Sequence, residues 1–524
     1  MRWLCDSIIE GFDTGIHRPP EQTFKCKNLR SASENSDFVT QAIAEEVTND
    51  FVIGPFDNVI WENSRISPIG VAKGKWSGKL RLILDLSSPH DNEKHPSINS
   101  LIEKDSFSLS YTTIDDAVSV ITKLGVNSTM CKVDVASAFK ILPIKPSQWR
   151  YYGFQWQNKI YYFQKLAFGC RSSPFLFTQL SKAISWIATH KYGIQHILYL
   201  LDDFLTIDPP GSDSKATMSM LCKLFSDLSI PLNTDKTMGP SRKMVYLGIE
   251  LCSESMSIAL PRDKLIRTRE LLQHFINRPK CTKRELLQLL GHLVYGARVI
   301  SPCRAFLNKL FTAANSVKKL WHRVHLSKDT KSDIRMWLKL MNQWSGISMF
   351  LDSDITRNED LHAFTDSSSS FGCGGFYESA QEYFTMSWEC VGVDPHDMKN
   401  SMAFLEFIPI IYACYVWGHL WSGKRLIWHC DNEALCHIIN KSRTRIDNIM
   451  ELVYILVFLS LKYSFTFHAL WLPSASNDWA DALSRNDLRY FQRQAPHFKC
   501  IKLPNLQHLI NNSKSKQPIS ELQP

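Results

Sequence analysis

Between residues 59 and 255, apolar and polar positions follow each other in short runs separated by turn signals. Runs of this length and composition are typical of β-strands, with a few helices between them. The runs that predict strands most clearly are 79–86 (KLRLILDL), 131–135 (CKVDV), 159–166 (KIYYFQKL) and 244–251 (MVYLGIEL). We therefore predict that 59–255 forms a strand-rich domain with interspersed helices.

A helical pattern follows over residues 256–350. Apolar residues recur at helical spacing around Leu272, and Thr282 with Glu285 predicts a capping box before the run LLQLLGHLVYGA. Strand and helix patterns then alternate again. This alternation predicts a second α/β domain over 355–490.

The two ends of the chain are more polar than its middle. Residues 1–58 form a mixed N-terminal extension, in which 30–38 (RSASENSDF) is predicted to be a loop. The C-terminal tail, 491–524, has the composition of a disordered segment. The apolar stretches 407–421 and 453–461 are too short to span a bilayer and predict buried helices.

Two adjacent aspartates, Asp202 and Asp203, interrupt the apolar run ILYLLDDFLTI. Like charges side by side in a strand-forming stretch repel, and burying either one costs free energy. A hairpin turn would account for them, because aspartate is favoured in turns, although two-residue hairpin turns prefer glycine or asparagine. A divalent cation such as Mg²⁺ would account for them equally well, since it binds carboxylates together with substrate phosphates. This stretch alone leaves both interpretations open.

A third aspartate, Asp134, ends the predicted strand at 131–135. If that strand lies beside the hairpin, Asp134 meets Asp202 and Asp203 in one cleft. Three carboxylates can hold two Mg²⁺ ions about 3.5–4 Å apart, an arrangement that clamps the attacking and leaving oxygens in phosphoryl transfer. The cations also remove the repulsion, because they reverse the local charge balance.

Composition narrows the class of protein. A chain of 524 residues with 44% hydrophobic and 11% aromatic residues is long and apolar enough for several packed domains. The net charge of +9 suits a polyanionic partner. Fourteen scattered cysteines without a CxxC pair argue against a zinc finger or a disulfide scaffold, and the N-terminus shows no signal peptide. We expect an intracellular protein, cytoplasmic or nuclear, that is not secreted and has no membrane partner.

Six segments in one order resemble the successive motifs of reverse transcriptases. They are 73–89 (KGKWSGKLRLILDLSSP), Asp134 with Phe139, 166–177 (LAFGCRSSPFLF), 200–204 (LLDDF), 232–237 (LNTDKT) and 245–251 (VYLGIEL). The resemblance implies an α+β multidomain protein that begins with a right-hand polymerase. Its fingers and ferredoxin-like βαββαβ palm would occupy 59–255, and a helical thumb or connection would occupy 256–350.

The resemblance makes Asp134, Asp202 and Asp203 the catalytic metal ligands of the polymerase. The sequence departs from the family at one point, because the tyrosine that usually lies two residues before the first paired aspartate is replaced by Leu200. The neighbouring Tyr199 is one step away along the strand and should face the opposite side. This departure puts fidelity and rate in doubt more than metal binding.

Other polymerase residues follow from the same motifs. Phe139 would be the steric gate that clashes with a ribose 2′-hydroxyl and so selects deoxynucleotides. Gly169 would let the backbone approach the templating pair. Lys79 and Arg81 would neutralise the triphosphate, and Lys236 would protonate the leaving pyrophosphate.

Four acids in the second α/β domain resemble the active site of ribonuclease H, which also holds two Mg²⁺ ions. They lie at a strand end, in a helix, at a second strand end and at a helix start: Asp366, Glu406, Asp431 and Asp481. Asp478 competes for the last position, but ADALSR around Asp481 fits the motif better. Cellular enzymes carry a histidine in the preceding loop, and here the loop offers Ser474, Ala475 and Ser476. That difference indicates a domain of the retroelement type.

Two further segments bear on function. Residues 318–339 hold seven Lys/Arg against two Asp and include Trp321 and Trp337. A solvated helix face would explain this surplus, but its position between the two domains favours a track for the duplex. The residues proposed to contact phosphates are Lys318, Lys319, Arg323 and Lys331. The Asp-Thr-Gly at 13–15 matches the aspartic protease motif, but too few residues precede the fingers for a protease subunit.

The direct order of polymerase and nuclease, with SPIGVAKGK and HLVYGARVISPCRAFLNKL, looks most like DIRS-like retrotransposons, and gypsy-like elements are the second choice. The implied function is RNA-directed DNA synthesis coupled to cleavage of RNA in the hybrid. The cofactor is two Mg²⁺ ions per site, with Mn²⁺ as an alternative. The partners are an RNA template, a DNA primer, the RNA–DNA hybrid and deoxynucleoside triphosphates. A domesticated nucleic-acid-binding derivative and an RNA-dependent RNA polymerase are the alternatives.

Overall fold

The computed structural model divides the chain into two compact units, Met1–Met244 and Val245–Pro524. The described residues are 2–74, 78–90, 92–343, 347–349, 361–397, 401–422, 424–444, 446–463, 465–473 and 476–505.

The first unit mixes helices and strands throughout. Its described α-helices are α1 Arg2–Glu10, α2 Arg30–Ser33, α3 Ser36–Thr48, α4 Ile114–Leu124, α5 Ser173–Lys191 and α6 Ser214–Asp227. Its described strands are β1 Phe24–Lys25, β2 Val52–Phe56, β3 Arg65–Ile66, β4 Ile69–Lys73, β5 Leu80–Leu84, β6 Thr129–Asp134, β7 Gly153–Trp156, β8 Lys159–Phe163, β9 Ile197–Leu200, β10 Asp203–Asp208 and β11 Met238–Ser241.

A four-stranded sheet in the first unit forms the predicted palm. The chain order β6-α5-β9-β10-α6-β11 is the βαββαβ motif, and the strands lie side by side in the order β11-β6-β10-β9. Every neighbouring pair is antiparallel. Helix α5 packs against β9, and α6 packs against β6 and β11. Val133 and Phe204, which face each other across β6 and β10, are fully buried in the core of this unit.

The N-terminal residues belong to the folded core of the first unit. A five-stranded sheet has the order β1-β3-β7-β8-β2, and β4 pairs with β5 as a separate hairpin. The loop predicted at 30–38 is wrong, because this stretch forms α2 and the start of α3. Helix α3 buries Val39 and Ile43, four residues apart, against the core. Strand β2 then pairs with β8, so 1–58 is no separate extension.

The Asp-Thr-Gly segment near the N-terminus has a structural role in this fold. The backbone amide and hydroxyl of Thr14 both donate to Gln148 Oε1 at 2.9 Å. Gln148 Nε2 in turn donates to Asp13 Oδ1 at 2.8 Å. These bonds tie the N-terminal segment to the short 3₁₀ helix Pro146–Tyr151.

The second unit begins with a small sheet and a group of helices. Its described α-helices are α7 Arg262–Ile276, α8 Lys283–Val299, α9 Asn308–Asn315, α10 Lys328–Gln343, α11 Trp388–Val391, α12 Met402–Trp417, α13 Glu433–Lys441, α14 Asp447–Lys462, α15 Asp478–Ser484 and α16 Leu488–Gln494. Its described strands are β12 Lys243–Tyr246, which spans the boundary, β13 Ile249–Cys252, β14 Ser257–Ala259, β15 Lys280–Thr282, β16 Arg323–His325, β17 Ile347–Met349, β18 Leu361–Ser367, β19 Gly372–Tyr377, β20 Glu382–Ser387, β21 Arg425–Cys430, β22 Thr466–Trp471 and β23 Lys499–Cys500.

The region predicted to be helical, 256–350, contains α7 to α10 but also the short strands β14, β15, β16 and β17. Helix α8 starts with the predicted capping box, in which the Thr282 hydroxyl accepts from the Glu285 amide and the Glu285 carboxylate accepts from the Thr282 amide. The strand predicted at 244–251 is instead two strands, β12 and β13. Leu247 and Gly248, both at positive φ, form the turn between them.

The C-terminal part of the second unit is a six-stranded sheet of order β22-β21-β18-β19-β20-β23. Strands β18, β19 and β20 are antiparallel neighbours, and β21 and β22 run parallel to β18. This is the ribonuclease H-like α/β arrangement that the sequence resemblance implied. Helices α12 and α15 both pack on β18 and β19.

Two sequence expectations need correction in this region. The segment Met402–Trp421 is 20 residues long, enough by length and composition to cross a membrane, but 72% of it is buried inside the unit. The predicted disordered tail begins at 491, yet α16 continues to Gln494 and β23 pairs in parallel with β20. The remaining tail, 506–524, lies outside the described residues.

A polar and aromatic contact joins the helical region to the C-terminal sheet domain within the second unit. The Tyr454 ring of α14 stacks on Phe306 with 4.6 Å between centroids. Its hydroxyl donates to Asp333 Oδ1 of α10 at 3.4 Å. Burial raises the pKa of Asp333 to about 7, so this contact holds a carboxyl group that is about half protonated near neutral pH.

Candidate active sites

Three aspartates meet at one end of the palm sheet, as the sequence predicted. Asp134 ends β6 and is paired in register with Asp203, the first residue of β10. The backbone amide of Val135 donates to the carbonyl of Asp202 at 3.0 Å, which fixes the second aspartate beside the first. Antiparallel pairing alone therefore brings together residues 68 to 69 positions apart in the chain, counting from Asp134 to Asp202 and Asp203.

The paired aspartates lie in a tight hairpin turn, so the turn interpretation and the carboxylate cluster hold together. Leu201 and Asp202 connect β9 to β10, and Leu201 adopts φ +54°. A leucine in the left-handed region is strained by roughly 1 kcal/mol or more. The Ser181 hydroxyl donates to the Leu201 carbonyl at 2.8 Å and helps to hold this conformation.

The register of this hairpin settles where the neighbouring residues face. Tyr199 pairs with Phe204 and packs on its ring at 6.0 Å, on the core side of the sheet. Leu200 pairs with Asp203 and shares its side. The expectation that Tyr199 faces away from the aspartates is therefore confirmed, and the side chain beside them is aliphatic.

Two lysines balance the charge of the three aspartates. Lys236 Nζ lies 3.0 Å from both carboxylate oxygens of Asp134, and this hydrogen bond raises the pKa of Lys236. Lys132 Nζ lies 3.1 Å from Asp203 Oδ1. Burial raises the pKa of Asp202, and the charges of Asp134 and Asp203 raise it further.

Lys132 was missed by the sequence reasoning. It precedes Asp134 by two residues on β6, and side chains two apart on a strand share a face. This spacing is a signal that could have identified it. The Lys132–Asp203 contact is an ion pair without a well-aligned hydrogen bond. Among the described residues, Asp203 Oδ1 has no hydrogen-bond partner of good geometry.

The predicted substrate residues lie on separate elements of the first unit. Phe139 sits in the 3₁₀ turn Ala138–Ile141 and is 8% exposed, with its ring edge-to-face against Phe168 and Phe177 at 4.8 and 5.6 Å. Lys79 and Arg81 are exposed at the β4–β5 hairpin. Phe139 is thus a packed aromatic whose remaining surface is small.

Gly169 occupies a conformation that favours glycine. Its φ is +92°, and a Cβ there would lie 3.1 Å from the carbonyl oxygen of Leu84. Asn99, another residue missed from the sequence, donates to the Gly169 carbonyl at 2.8 Å and accepts from the Arg171 amide at 2.8 Å. Asn99 therefore holds the loop on both sides of Cys170.

The second carboxylate cluster lies where the inner strands β18 and β21 of the six-stranded sheet end. Asp366 is in β18, Glu406 in α12, Asp431 directly after β21, and Asp481 in α15. Asp366 and Glu406 are 5% and 4% exposed. The ligand atoms of Glu406 and Asp431, together with the thiol of Cys430, lie within 4.8 Å of one another.

Burial dominates the electrostatics of this cluster. It raises the pKa of Asp366 to about 6, and the charges of Asp431 and Asp481 add to the rise. Burial also raises the pKa of Glu406 well above its ordinary value, again with contributions from its acidic neighbours. The four acids therefore act on one another as a single group of negative charges.

The structure separates Asp481 from its competitor. Asp481 raises the pKa of both Asp366 and Glu406, and Arg485 Nε donates to its Oδ1 at 2.7 Å. Asp478 instead accepts a hydrogen bond from the Tyr490 hydroxyl at 2.8 Å. The preference for Asp481 is consistent with this geometry.

Helix α15 comes close to the sheet and supplies a residue that sequence reasoning missed. A Cβ on Gly374 of β19 would lie 2.5 Å from Leu483 Cβ, so the glycine permits the approach. The Ser484 hydroxyl then reaches Asp366 Oδ2 at 2.6 Å. Ser368 in the serine-rich turn donates to the Ser484 carbonyl at 2.7 Å, which fixes this end of the helix.

The basic segment 318–339 is not one helix. Lys318 and Lys319 lie in a turn, Arg323 opens β16, and Lys331 lies in α10. Lys318, Lys319 and Arg323 are exposed, and Lys319 lies over the ring of the exposed Trp321 at 5.2 Å. Including Trp337 in a nucleic acid surface is wrong, because its side chain is fully buried and donates to the Phe306 carbonyl.

Both carboxylate clusters fit hard divalent cations. Carboxylate oxygens are the ligands that Mg²⁺ prefers, and each cluster brings several of them together against mutual repulsion. In the palm, Asp203 Oδ1 is buried with its hydrogen-bonding capacity unused within the described residues. In the second cluster, acidic neighbours and burial disfavour the charged forms, a cost that a bound cation would offset.

A ferredoxin-like palm with three aspartates at one sheet end, followed by a ribonuclease H-like α/β domain, defines a right-hand polymerase fold with a C-terminal domain. Residues 78–251 match the family model described as "Reverse transcriptase (RNA-dependent DNA polymerase)". Over those residues the chain is therefore similar to reverse transcriptases.

Viral polymerases share parts of this sequence and fold. The chain is 28% identical over 146 residues to Protein P of duck hepatitis B virus (strain United States/DHBV-16), and 29% identical over 119 residues to Protein P of woodchuck hepatitis B virus (isolate 59). These matches cover 28% and 22% of this chain and span 17% and 13% of the relatives. A structure of the foamy viral protease-reverse transcriptase dRH in complex with double-stranded DNA matches with a TM-score of 0.51 and 14% identity. It covers 87% of this chain and 72% of that one, and supports the fold.

Proposed function

We propose that this protein is an RNA-directed DNA polymerase with a coupled ribonuclease H that cleaves the RNA strand of RNA–DNA hybrids. The observation that carries the proposal is the presence of two separate carboxylate clusters, one in the palm and one in the C-terminal sheet domain. Each brings together acids from distant parts of the chain with donor groups suited to Mg²⁺. The reverse transcriptase family match over 78–251 supports the polymerase half.

In the polymerase, Asp134, Asp202 and Asp203 would hold Mg²⁺, with Mn²⁺ as an alternative. The cation, when bound, supplies charge neutralisation at the attacking and leaving oxygens. Lys236, whose Nζ lies 3.0 Å from Asp134 Oδ1, would protonate the pyrophosphate that leaves. Hydrogen bonds to the carbonyls of Leu201 and Asp202 hold this turn, so little reorganisation of Asp202 would be needed when substrate binds.

Substrate selection rests on the elements around the palm. Lys79 and Arg81 on the fingers hairpin would neutralise the triphosphate of a deoxynucleotide. Phe139, held by its aromatic neighbours, would exclude the ribose 2′-hydroxyl. Gly169, held by Asn99, would keep the backbone close to the templating pair.

In the nuclease, Asp366, Glu406, Asp431 and Asp481 would hold Mg²⁺ for hydrolysis of the RNA strand. Ser484 orients the carboxylate of Asp366 through its 2.6 Å hydrogen bond. Arg485 neutralises part of the charge of Asp481. The RNA–DNA hybrid would be held by phosphate contacts from Lys318, Lys319, Arg323 and Lys331.

We further propose that the protein comes from a retrotransposon of the DIRS-like type, with gypsy-like elements as the second choice. The motifs SPIGVAKGK and HLVYGARVISPCRAFLNKL support this assignment. An intracellular location, cytoplasmic or nuclear, fits fourteen cysteines that are all free thiols among the described residues. The chain spans 17% of the length of the duck viral relative, so we propose the activities from the two clusters rather than from that relative.

Primer extension tests the proposal directly. The protein, a DNA primer and an RNA template should give Mg²⁺-dependent DNA synthesis, and a hybrid with labelled RNA should give short RNA fragments. Chelator should stop both reactions. An RNA-dependent RNA polymerase would extend an RNA primer with ribonucleotides instead. A domesticated binding protein would bind the hybrid and produce neither product.

The steric gate has its own test within the same assay. Phe139→Val shortens the side chain, so ribonucleotide incorporation should rise relative to deoxynucleotide incorporation. Phe177→Leu is a matched control, because it alters a buried ring that packs on Phe139 and leaves the Phe139 side chain itself intact. Equal discrimination in Phe139→Val and the parent would make Phe139 a core residue alone.

A further inference from the structure

The nuclease cluster contains sulfur as well as oxygen. Cys430 is the last residue of β21, immediately before Asp431, and its side chain is 1% exposed. Its Sγ lies within 4.8 Å of a carboxylate oxygen of Glu406 and one of Asp431. Magnesium has little affinity for thiols, so the proposed hydrolysis gives no reason for a cysteine at this position.

A second thiol lies next to the first. Cys436 lies in α13, is 6% exposed and interacts electrostatically with the Cys430 thiol. The Cys436 thiol also donates to the Cys430 carbonyl at 3.8 Å, and the negative charge of Asp431 acts on it. The loop between β21 and α13 thus folds two thiols against one side of the carboxylate cluster.

Glu406 provides an independent reason to expect a cation here. Its side chain is 4% exposed, and the Ser367 backbone amide favours its charged form. The groups that interact with it include the acids of the cluster and the thiols of Cys430 and Cys373. Within the described part of the chain, no positively charged side chain pairs with this buried carboxylate. The possible metal ligands around it include one sulfur atom, that of Cys430.

We propose that Cys430, Glu406 and Asp431 form a binding site for a thiophilic divalent cation such as Zn²⁺ or Cd²⁺. Mixed thiolate and carboxylate ligands are typical of zinc rather than of magnesium. Because two of the ligands belong to the proposed nuclease site, the cation would displace Mg²⁺ and inhibit cleavage of the hybrid. This inhibition rests on the proposed nuclease function, but the binding itself does not.

The binding step exchanges a proton for a metal–sulfur bond. The Cys430 thiol loses its proton to solvent, and the thiolate sulfur donates an electron pair to the cation. No oxidant is required, and neither thiol changes its oxidation state. Binding should therefore release protons and become tighter as the pH rises.

Cadmium is the probe for the binding test. The full-length protein, stripped of metal, is titrated with Cd²⁺ in the presence of a weak competing chelator, and the thiolate-to-cadmium absorption in the ultraviolet is recorded. We expect the parent to bind one more tight Cd²⁺ than Cys430→Ala. Cys303→Ala is the matched control, since Cys303 is also buried but lies in the helical region, away from the acids. It should bind as the parent does.

A second variant keeps the test decisive if Cys430→Ala does not fold. Glu406→Gln retains every thiol and removes one carboxylate, so it should also lose the tight Cd²⁺ and its absorption. Equal stoichiometry and absorption in the parent and both variants would overturn the proposal, because the signal would then come from other cysteines.

Zinc inhibition tests the consequence for activity. Each protein's hybrid cleavage at fixed Mg²⁺ is divided by its own rate without zinc. We expect the concentration of Zn²⁺ that halves this ratio to be about ten times higher for Cys430→Ala than for the parent and the control. Equal zinc sensitivity would overturn the inhibitory role. If no protein cleaves the hybrid, the nuclease proposal fails, whereas the cadmium titration still decides the site.

Discussion

The two carboxylate clusters bring like charges together under different conditions. In the palm, Asp134 and Asp203 each have a lysine about 3 Å away, Lys236 and Lys132. In the C-terminal domain, Asp366 and Glu406 are buried and have raised pKa values. Ammonium groups lie beside the carboxylates of the palm, whereas in the C-terminal cluster protons compete for the buried Asp366 and Glu406.

This difference has a consequence for how each site would take up a cation. A cation entering the palm must compete with two lysine side chains that are part of the protein. A cation entering the C-terminal cluster must compete with protons, and this competition becomes stronger as the pH falls. The palm should therefore depend on the lysines and the C-terminal cluster on pH.

The largest expected effect separates the two activities. Asp202→Asn should reduce DNA synthesis by on the order of 10³-fold and leave hybrid cleavage largely intact, because the clusters lie in different units. Asp431→Asn should do the reverse. Both rates are measured on one hybrid substrate. Loss of both activities in either variant, with normal folding by circular dichroism, would contradict two independent sites.

The second prediction concerns stability without metal. The Asp366 carboxyl has a pKa of about 6 in the folded protein and an ordinary value of 3.8, a difference of up to about 3 kcal/mol. The folded state binds this proton more tightly, so it loses stability as the pH rises from about 4 to about 6 and stays penalised above that range. Asp366→Asn should thus stabilise the protein in chelator at pH 8 and have little effect at pH 4.

Asp134→Asn is the matched comparison for that measurement. Asp134 is as buried as Asp366, but it pairs with Lys236. Removing its charge breaks an ion pair, and we expect slight destabilisation at pH 8. Thermal unfolding of both variants at both pH values checks the pair. The same sign for the two variants at pH 8 would remove the distinction between the clusters.

The third prediction isolates the lysine that the sequence reasoning missed. Lys132→Met removes a positive charge beside Asp203, so the Mg²⁺ concentration for half-maximal synthesis should fall several-fold. Lys159→Met is the control, since Lys159 pairs with Asp57 in a different sheet. In a double-mutant cycle with Asp203→Asn, the coupling free energy should be about 1 kcal/mol. Additive effects would show that the ion pair is incidental.

The smallest expected effect concerns the duplex. Neutralising Lys318, Lys319, Arg323 and Lys331 to glutamine should weaken hybrid binding without regard to sequence. For each phosphate that the protein no longer binds, the log–log salt slope should become shallower by up to about 0.9. Fluorescence anisotropy at several salt concentrations measures this slope. An unchanged slope would show that the segment is a solvated surface. Other residues would then hold the duplex at the two clusters.

Much of the fold could be predicted because its signals are local. The capping box at Thr282 and Glu285 depends on residues three apart, and it is present as predicted. The palm could be predicted from the order of the short motifs, because each motif lies at one turn or strand end. The loop predicted at 30–38 failed because its polar residues form the first turns of α2 and α3, and the apolar Val39 and Ile43 come later.

Contacts between distant positions could not be predicted in the same way. Asn99 bonds to Gly169 across 70 positions, and Ser484 bonds to Asp366 across 118. Neither residue has a local pattern that distinguishes it from a surface polar residue. Trp337 shows the opposite error, because a tryptophan among lysines suggested a binding surface, whereas the helix turns it into the core.

Strand β23 has a consequence for how the protein behaves in concentrated solution. Lys499 and Ile501 donate backbone hydrogen bonds to Gln381 and Tyr383, which covers the outer edge of β20. A chain ending at 490, where the domain was predicted to stop, would leave that edge open. Unpaired strand edges recruit other chains. Because β23 pairs with β20, the edge of β20 is not open to another chain. A fragment meant to remain monomeric must therefore extend beyond residue 501.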